Sequence, residues 1–321
     1  MKEIVIQPND AGQRLDKFLT KSFDALPQSL LYKAIRTKHI KRNGKRTEIS
    51  ARLCEGDVLT IYLNDDVLTP AKPKYDFLSA PAVLDIVYED ENIVLVNKPE
   101  GLVVHPDNKE YRDTLIFRIQ HYLYDKKEYV PDEERSFKPA LVNRIDRNTG
   151  GIVIAAKTAE ALRILNAKLK AREIDKYYLC LIHGVPKKKA DTLIARLVKD
   201  ESKNKVTVNK GKQGEGQIIR TRYQVIAHDG DVALLQIRLL TGRTHQIRAH
   251  LASVGHPLVG DGKYGVNKPD RRRGFVHQAL WSYRLSFHFV SDAGALNYLN
   301  SVLRQTCLAD SLSHDSSQAE V

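Results

Sequence analysis

The stretch LVNRIDRNTGGIVIAAK, Leu141 to Lys157, sets one acid, Asp146, between Arg144 and Arg147, ahead of Gly150-Gly151 and an apolar strand. A carboxylate beside guanidinium groups can stay ionised where water is excluded, because a nearby cation offsets desolvation. It can then serve as nucleophile or general base. The glycine pair, free to adopt unusual backbone angles, reads as a turn that presents Asp146. The plainer alternative is a surface ion pair of small value. A second polar cluster lies in LLTGRTHQIRAHLASVGHPLVGDGKYG, where Arg243, His245, Arg248 and His250 follow the turn Thr241-Gly242. His245 and His250 are five positions apart, on different faces of a helix, and no cysteine is near. A phosphate or carboxylate facing the arginines is therefore expected rather than a metal. The segment Asn97-Lys98-Pro99-Glu100-Gly101, running on to Val104-His105-Pro106, reads as a strand entering a turn. Gly211, Gly214 and Gly216 lie between two strands and open no helix, so they suit a hairpin tip and not a phosphate or dinucleotide loop. No cofactor is expected.

These groups need elements to hold them. The chain has 321 residues, which suits two domains. Residues 1–64 read as one small domain: a strand at Lys2–Gln7, a helix at Asp10–Leu19 burying Leu15, Phe18 and Leu19, and a second helix at Gln28–Thr37. Asn43-Gly44 is a hairpin signal, and Gly56-Asp57 turns into a strand at Val58–Leu63. Residues 65–81, with Pro70, Pro73 and Pro81, read as a linker. A second domain over 82–303 alternates strands (83–87, 93–96, 152–156, 177–182) with few helices, one of them at Thr158–Leu169. Ile219, Thr221, Tyr223 and Val225 share one strand face, and Ala233, Leu235, Ile237 and Leu239 another. The fold class is α+β, with a largely antiparallel sheet and helices packed outside. Residues 304–321, polar and serine-rich from Ala309, read as a disordered tail. Cys54, Cys180 and Cys307 fit neither a disulfide framework nor a paired metal site, which points to a reducing cytoplasm. No stretch is long and apolar enough for a membrane helix, and the first residues lack a secretory signal.

The net charge is +12, which suits a polyanionic partner or an ordinary basic enzyme alike, since the arrangement of charge matters more than its total. Seven basic side chains fall between Lys33 and Arg46 with no acid among them: Lys33, Arg36, Lys38, Lys41, Arg42, Lys45 and Arg46. A helix end and a hairpin would gather them into a face that follows phosphates; the alternative is a solvated surface.

Residues 1–64 resemble the small RNA-binding domain of the ribosomal-protein S-four type. Arg14-Leu15-Asp16 with Phe18-Leu19, the basic helix, Ile40 through Asn43-Gly44-Lys45, and Gly56-Asp57 carry that likeness. From Val83 to Phe289 the chain resembles the RluA-type pseudouridine synthases. The matching segments are Lys98-Pro99 with Gly101 and His105-Pro106, then Arg144-Ile145-Asp146 with Thr149 and Gly151, then Lys176-x-Tyr178. Gly242-Arg243-Thr244-His245-Gln246-Ile247-Arg248, with Gly255-His256-Pro257 and Gly260-Asp261, completes the series.

The resemblance implies isomerisation of uridine in structured RNA, without a cofactor, by Asp146. Arg243 is implied as its cationic partner, with Arg248 as second choice. Tyr178 would stack on the detached uracil or carry protons, its plainer role being a core tyrosine. Arg144 would hold the flipped nucleotide or fill its gap, Thr149 and Arg248 would bind substrate, and Leu285 and Phe287 would line the uracil pocket. Large-subunit ribosomal RNA is the expected partner and transfer RNA the alternative, acted on by a monomer. Asn143 and Gly150 stand where the family commonly has histidine and serine. A non-catalytic ribosome-assembly factor would share the charge but would not need Asp146, Tyr178 and Arg243 together. A glycosidase would ordinarily need a carboxylate pair, and the Asp146 segment offers one.

Overall fold

The computed structural model describes residues 1–71, 74–200, 205–209 and 215–306. Pro73, Gly211, Gly214, Cys307 and the expected tail from Ala309 lie outside them.

The first module is built on a four-stranded antiparallel sheet in the order β1-β4-β2-β3. Its strands are β1 (Lys2–Val5), β2 (Ile40–Arg42), β3 (Lys45–Arg46) and β4 (Val58–Ile61). Two helices cover it, α1 (Leu15–Ser22) and α2 (Gln28–Arg36). The first helix starts later than its sequence pattern suggests, because Pro8–Asp10 forms a separate 3-10 turn. Leu15, Phe18 and Leu19 are completely buried, and removal of each from water contributes roughly 1.5–3 kcal/mol. Asn43 and Gly44 both have positive φ, 52° and 71°, the geometry of the tight hairpin turn expected there.

The linker is folded onto both modules. Leu68 belongs to the first core. Phe77 joins the second, among the rings of Tyr75, Tyr124 and Tyr129. The modules also share hydrogen bonds: Asn9 Nδ2 donates to Glu134 (2.6 Å), Gln13 Nε2 to Ser136 Oγ (2.6 Å), and Arg163 to the Ala11 carbonyl (2.7 Å).

The second module holds a mixed sheet of eleven strands among the described residues. They are β5 (Ile86–Glu89), β6 (Ile93–Lys98), β7 (Ala140–Leu141), β8 (Gly150–Ala156), β9 (Ile174–His183), β10 (Ala190–Asp200), β11 (Lys205–Asn209), β12 (Gln217–Asp229), β13 (Val232–Leu239), β14 (Leu280–Phe287) and β15 (Leu303–Gln305). Along the main path the order is β11-β10-β12-β13-β9-β14-β8-β6-β5, with β7 on β8 and β15 on β14. Every pairing is antiparallel except β8 with β14. The helices are α3 (Leu115–Asp125), α4 (Ala159–Ala171), α5 (Gln246–Ser253) and the short α6 (Lys268–Arg272). The expected α+β class and largely antiparallel sheet are found.

Several expectations shift. The strand anticipated at 83–87 forms at Ile86–Glu89 instead. Leu303–Gln305 is a strand rather than the start of a tail, with the Arg304 guanidinium 4.0 Å from the centre of the Tyr88 ring. Helix α3 had no counterpart in the sequence reading. Its Thr114 cap accepts the Phe117 N–H, and Leu115, Ile116, Ile119 and Leu123 are buried at helical spacing. No helix among the described residues is long and apolar enough to cross a membrane.

Candidate active site

Asp146 sits in a loop between β7 and β8, at a cleft of about 300 Å³. Arg144, Thr149, Tyr178, Arg243 and Arg248 line the same cleft. The loop is tied at many points. Thr149 N–H donates to the Asp146 carbonyl (3.1 Å), and Gln278 Nε2 to Thr149 Oγ1 (3.3 Å). Asn148 meets the His277 ring at 3.0 Å.

Lys98, completely buried, donates to the carbonyls of Pro99 (2.7 Å), Leu102 (2.8 Å) and Arg147 (2.8 Å). Burial pushes its pKa down to about 7, against the pull of Glu100 and Asp146. The three acceptors match the three N–H groups of an ammonium, whereas a neutral amine could serve only two. Lys98 thus clamps the Pro99–Leu102 turn to the residue next to Asp146, a role the sequence had not suggested.

The glycine pair is not a turn. Gly150 and Gly151 begin β8, where the strand lies against β14. A Cβ at Gly151, φ +107°, would be 2.1 Å from the Ser282 carbonyl oxygen, and one at Gly150 would be 2.1 Å from the Trp281 ring. The absent serine at 150 is therefore matched by an indole that takes its space. Gly150→Ser is expected to destabilise the fold by about 1–3 kcal/mol. Adding Trp281→Leu should recover most of that loss in denaturant titrations. Equal losses in the single and double variants would refute the steric account. Asn143, the other departure, accepts the Ile154 N–H through Oδ1 (2.8 Å) and so continues the strand pairing with a side chain.

Arg248, not Arg243, pairs with the carboxylate. Its Nη1 is 2.9 Å from Asp146 Oδ2, while Nε and Nη2 bind both oxygens of Asp261 at 2.7 and 2.9 Å. Burial alone would lower the Arg248 pKa, but the two acids outweigh it and raise it. Burial likewise opposes ionisation of Asp261, yet Arg248 holds its pKa below the usual value. Arg243 stands exposed at the rim. It precedes α5, whereas Arg248 lies inside that helix, between the buried Ile247 and Leu251. Gln246 fixes this corner: its Oε1 accepts the Arg243 N–H (3.1 Å) and its Nε2 reaches Thr221 Oγ1 on β12 (3.0 Å).

His245 Nε2 lies 3.8 Å from Asp146 Oδ2, and Nδ1 is 2.9 Å from the Tyr264 hydroxyl. Burial lowers its pKa. Tyr178 is nearly buried on β9, and burial raises its pKa to about 12, so it enters the cleft as a neutral phenol. Arg144 is exposed at the mouth.

Leu285 and Phe287 are not at the cleft. Both are completely buried with Ala161 and Leu165 of α4. The irregularity in β14 between Ser282 and Arg284 separates them from Leu280, which does line it. Gln246, Asp261, Lys98 and Tyr264 were all within the quoted motifs or their flanks, but residue type alone gave them no role. Among the described residues, no three His, Cys, Asp or Glu side chains gather as a metal site.

In the first module, Lys33, Arg36, Lys38, Lys45 and Arg46 are exposed at the end of α2 and on the β2–β3 hairpin. Lys41 is half-buried, its ammonium 5.4 Å from the Tyr62 ring centre. Arg42 is engaged with Asp57 (2.7 Å) and the Arg52 carbonyl (3.0 Å), so its part is structural as well.

The RNA pseudouridylate synthase family matches residues 92–253, a span that contains Asp146, Tyr178 and Arg248. The chain is 32% identical over 304 residues to a ribosomal large subunit pseudouridine synthase C of Vibrio cholerae, covering 90% of this chain and 89% of that one. It is 33% identical to the protein of the same name in Buchnera aphidicola, covering 94% and 97%. Its fold is similar to the human RNA pseudouridylate synthase domain containing 4, with a TM-score of 0.57 at 20% identity, covering 74% of this chain and 95% of that one. The chain belongs to the RNA pseudouridylate synthase family and is an isomerase of that kind.

Proposed function

We propose that this enzyme isomerises uridine in large-subunit ribosomal RNA and that Asp146 is its reacting carboxylate. The observation that carries this reading is one acid in a cleft, held by Arg248 and facing Tyr178. The reaction breaks the bond from C1′ to N1, turns the base, joins C1′ to C5 and then removes the C5 proton while N1 takes one up, so that no atom is gained or lost overall. Asp146 attacks or deprotonates the sugar, and Arg248 holds its carboxyl group in place through Nη1. Tyr178 offers a ring face to uracil and a neutral hydroxyl for proton transfer. A stacked uridine cannot reach the cleft, so it is extruded at a cost of a few kcal/mol. Arg144, at the mouth, is placed to hold the backbone of the extruded nucleotide.

The names of the relatives support ribosomal RNA as substrate. Mapping pseudouridines in cells with and without this protein tests that choice. Loss at large-subunit positions is expected; loss confined to transfer RNA would overturn it.

Residues 1–64 act in this proposal as an S-four-like RNA-binding domain that supplies affinity. Replacing the exposed Lys33, Lys38 and Lys45 by glutamine removes three backbone contacts. The slope of log affinity against log salt should then become shallower by about 2, at roughly 0.7 per contact. An unchanged slope on long RNA would reduce this face to a solvated surface.

A further inference from the structure

We propose that the segment around α6 is a second RNA-backbone contact, belonging to the catalytic module itself and adjoining the Asp146 loop. This rests on the reading of the chain as an RNA isomerase and adds where the strand beside the target uridine is held.

Between Lys263 and His277 the sequence carries five lysines and arginines and a single acid, Asp270. That acid is turned inward. Asp270 is 2% exposed, and its Oδ2 accepts the Gly260 N–H (2.8 Å) and faces His183 Nε2 at 2.9 Å. A carboxylate so engaged is spent mainly on its buried partners, and of the surrounding cations Arg273 is the one whose charge acts on it. Lys268, Arg271, Arg272 and Arg273 are all exposed, and none of the four forms an ion pair with a described acid. Four long cations side by side repel one another, so the cluster is an unfavourable arrangement for a free surface and a favourable one against a polyanion.

Its placement ties it to the chemistry. Gly260, held by Asp270, precedes Asp261, the acid that grips Arg248 on its second side. On leaving α6 the chain reaches His277 and Gln278, which bind Asn148 and Thr149 of the Asp146 loop. The basic segment is therefore anchored at both ends to groups that adjoin Asp146. The anchor is rigid where the charge must be presented: Arg273 N–H and Phe275 N–H both return to the Asp270 carbonyl, at 2.9 and 3.0 Å. Guanidinium groups suit phosphodiesters, which they can bind in a fork. The occupant that fits is the phosphate backbone of RNA next to the extruded nucleotide. Contacts of this type fix position without reading sequence.

The test uses the full chain and a long structured RNA containing the target uridine. The triple variant Arg271→Gln, Arg272→Gln and Arg273→Gln is compared with the parent and with the triple lysine variant. KM for the RNA should rise about tenfold at physiological salt, and the salt slope should become shallower by about 2. The lysine variant should retain the parental slope, because it keeps the charge. A glutamine variant with parental KM and slope would overturn the proposal. So would a lysine variant as impaired as the glutamine one, since that would mark the arginines as structural. RNA binding is read separately from turnover, so an enzyme that binds RNA in this way without isomerising it would refute the proposed function and leave this inference standing.

Discussion

Replacing Asp146 by asparagine will abolish isomerisation and leave RNA binding nearly intact. The amide matches the carboxylate in shape and can still face Arg248. It offers neither a nucleophilic oxygen nor a basic one. Turnover should fall by more than about 10³-fold, within the range lost with a positioned acid, base or nucleophile. Single-turnover measurements on a saturating RNA separate chemistry from binding. A variant within tenfold of the parent would remove Asp146 from the reaction.

The second large effect concerns Arg248. Replacement by methionine strands two acids: Asp261, whose side chain is 0% exposed, and Asp146, at 25%. Breaking a buried pair in this way costs about 3–5 kcal/mol near neutral pH, and turnover should fall at the same time. The pH dependence gives the sign. In the parent, Asp261 has a pKa below its ordinary 3.8. It therefore contributes stability above that value and loses it as pH falls through the lowered pKa. Without Arg248, burial raises the Asp261 pKa instead, so the variant sheds its penalty as the acid protonates. The stability gap should be widest near neutral pH and narrow progressively on acidification, in urea titrations at several pH values. A gap independent of pH would mean that the loss is one of packing. Arg248→Lys should fall between, since a single ammonium cannot bridge both acids as the fork does.

What could be read from the sequence was the chemistry carried by unusual residue types in a short span. The acid between arginines and the basic helix entry stood out by themselves, whereas Tyr178 and Thr149, and the joining of all four into one site, came from the resemblance to the RluA-type synthases; Asp146, Tyr178, Thr149 and Arg248 do line one cleft. The choice between Arg243 and Arg248 was not legible. It depends on which side of α5 turns inward, and the small pattern of Ile247 and Leu251 decides that only once the sheet is in place. Leu285 was placed at the pocket by the resemblance alone, and the structure buries it under α4 instead. Strand alternation says which residues share a face but not how far along the strand the cleft ends. Gly150-Gly151 looked like a turn because glycine signals freedom. Its actual cause, the close approach of Trp281 and Ser282, lies far away in sequence. Helix α3 was there to be read, with Thr114 as cap and apolar residues at helical spacing, but its flanking polar loops obscured it.

The parallel pairing of β8 and β14 also sets how much of the chain must be made before the sheet under the cleft can close. Strand β14 lies between β8, which follows the Asp146 loop, and β9, which carries Tyr178. Ser282 Oγ donates to the Ile152 carbonyl across 130 positions of chain. During synthesis, Asp146 and Tyr178 emerge midway along the chain, but the strand that lies between β8 and β9 follows only at Leu280–Phe287. Contacts so remote in sequence form slowly and only after the intervening chain has been ordered. A ribosome stalled before Leu280 would thus hold a chain that already contains Asp146, Tyr178 and Arg248 but lacks the strand between β8 and β9 that completes the sheet beneath their cleft.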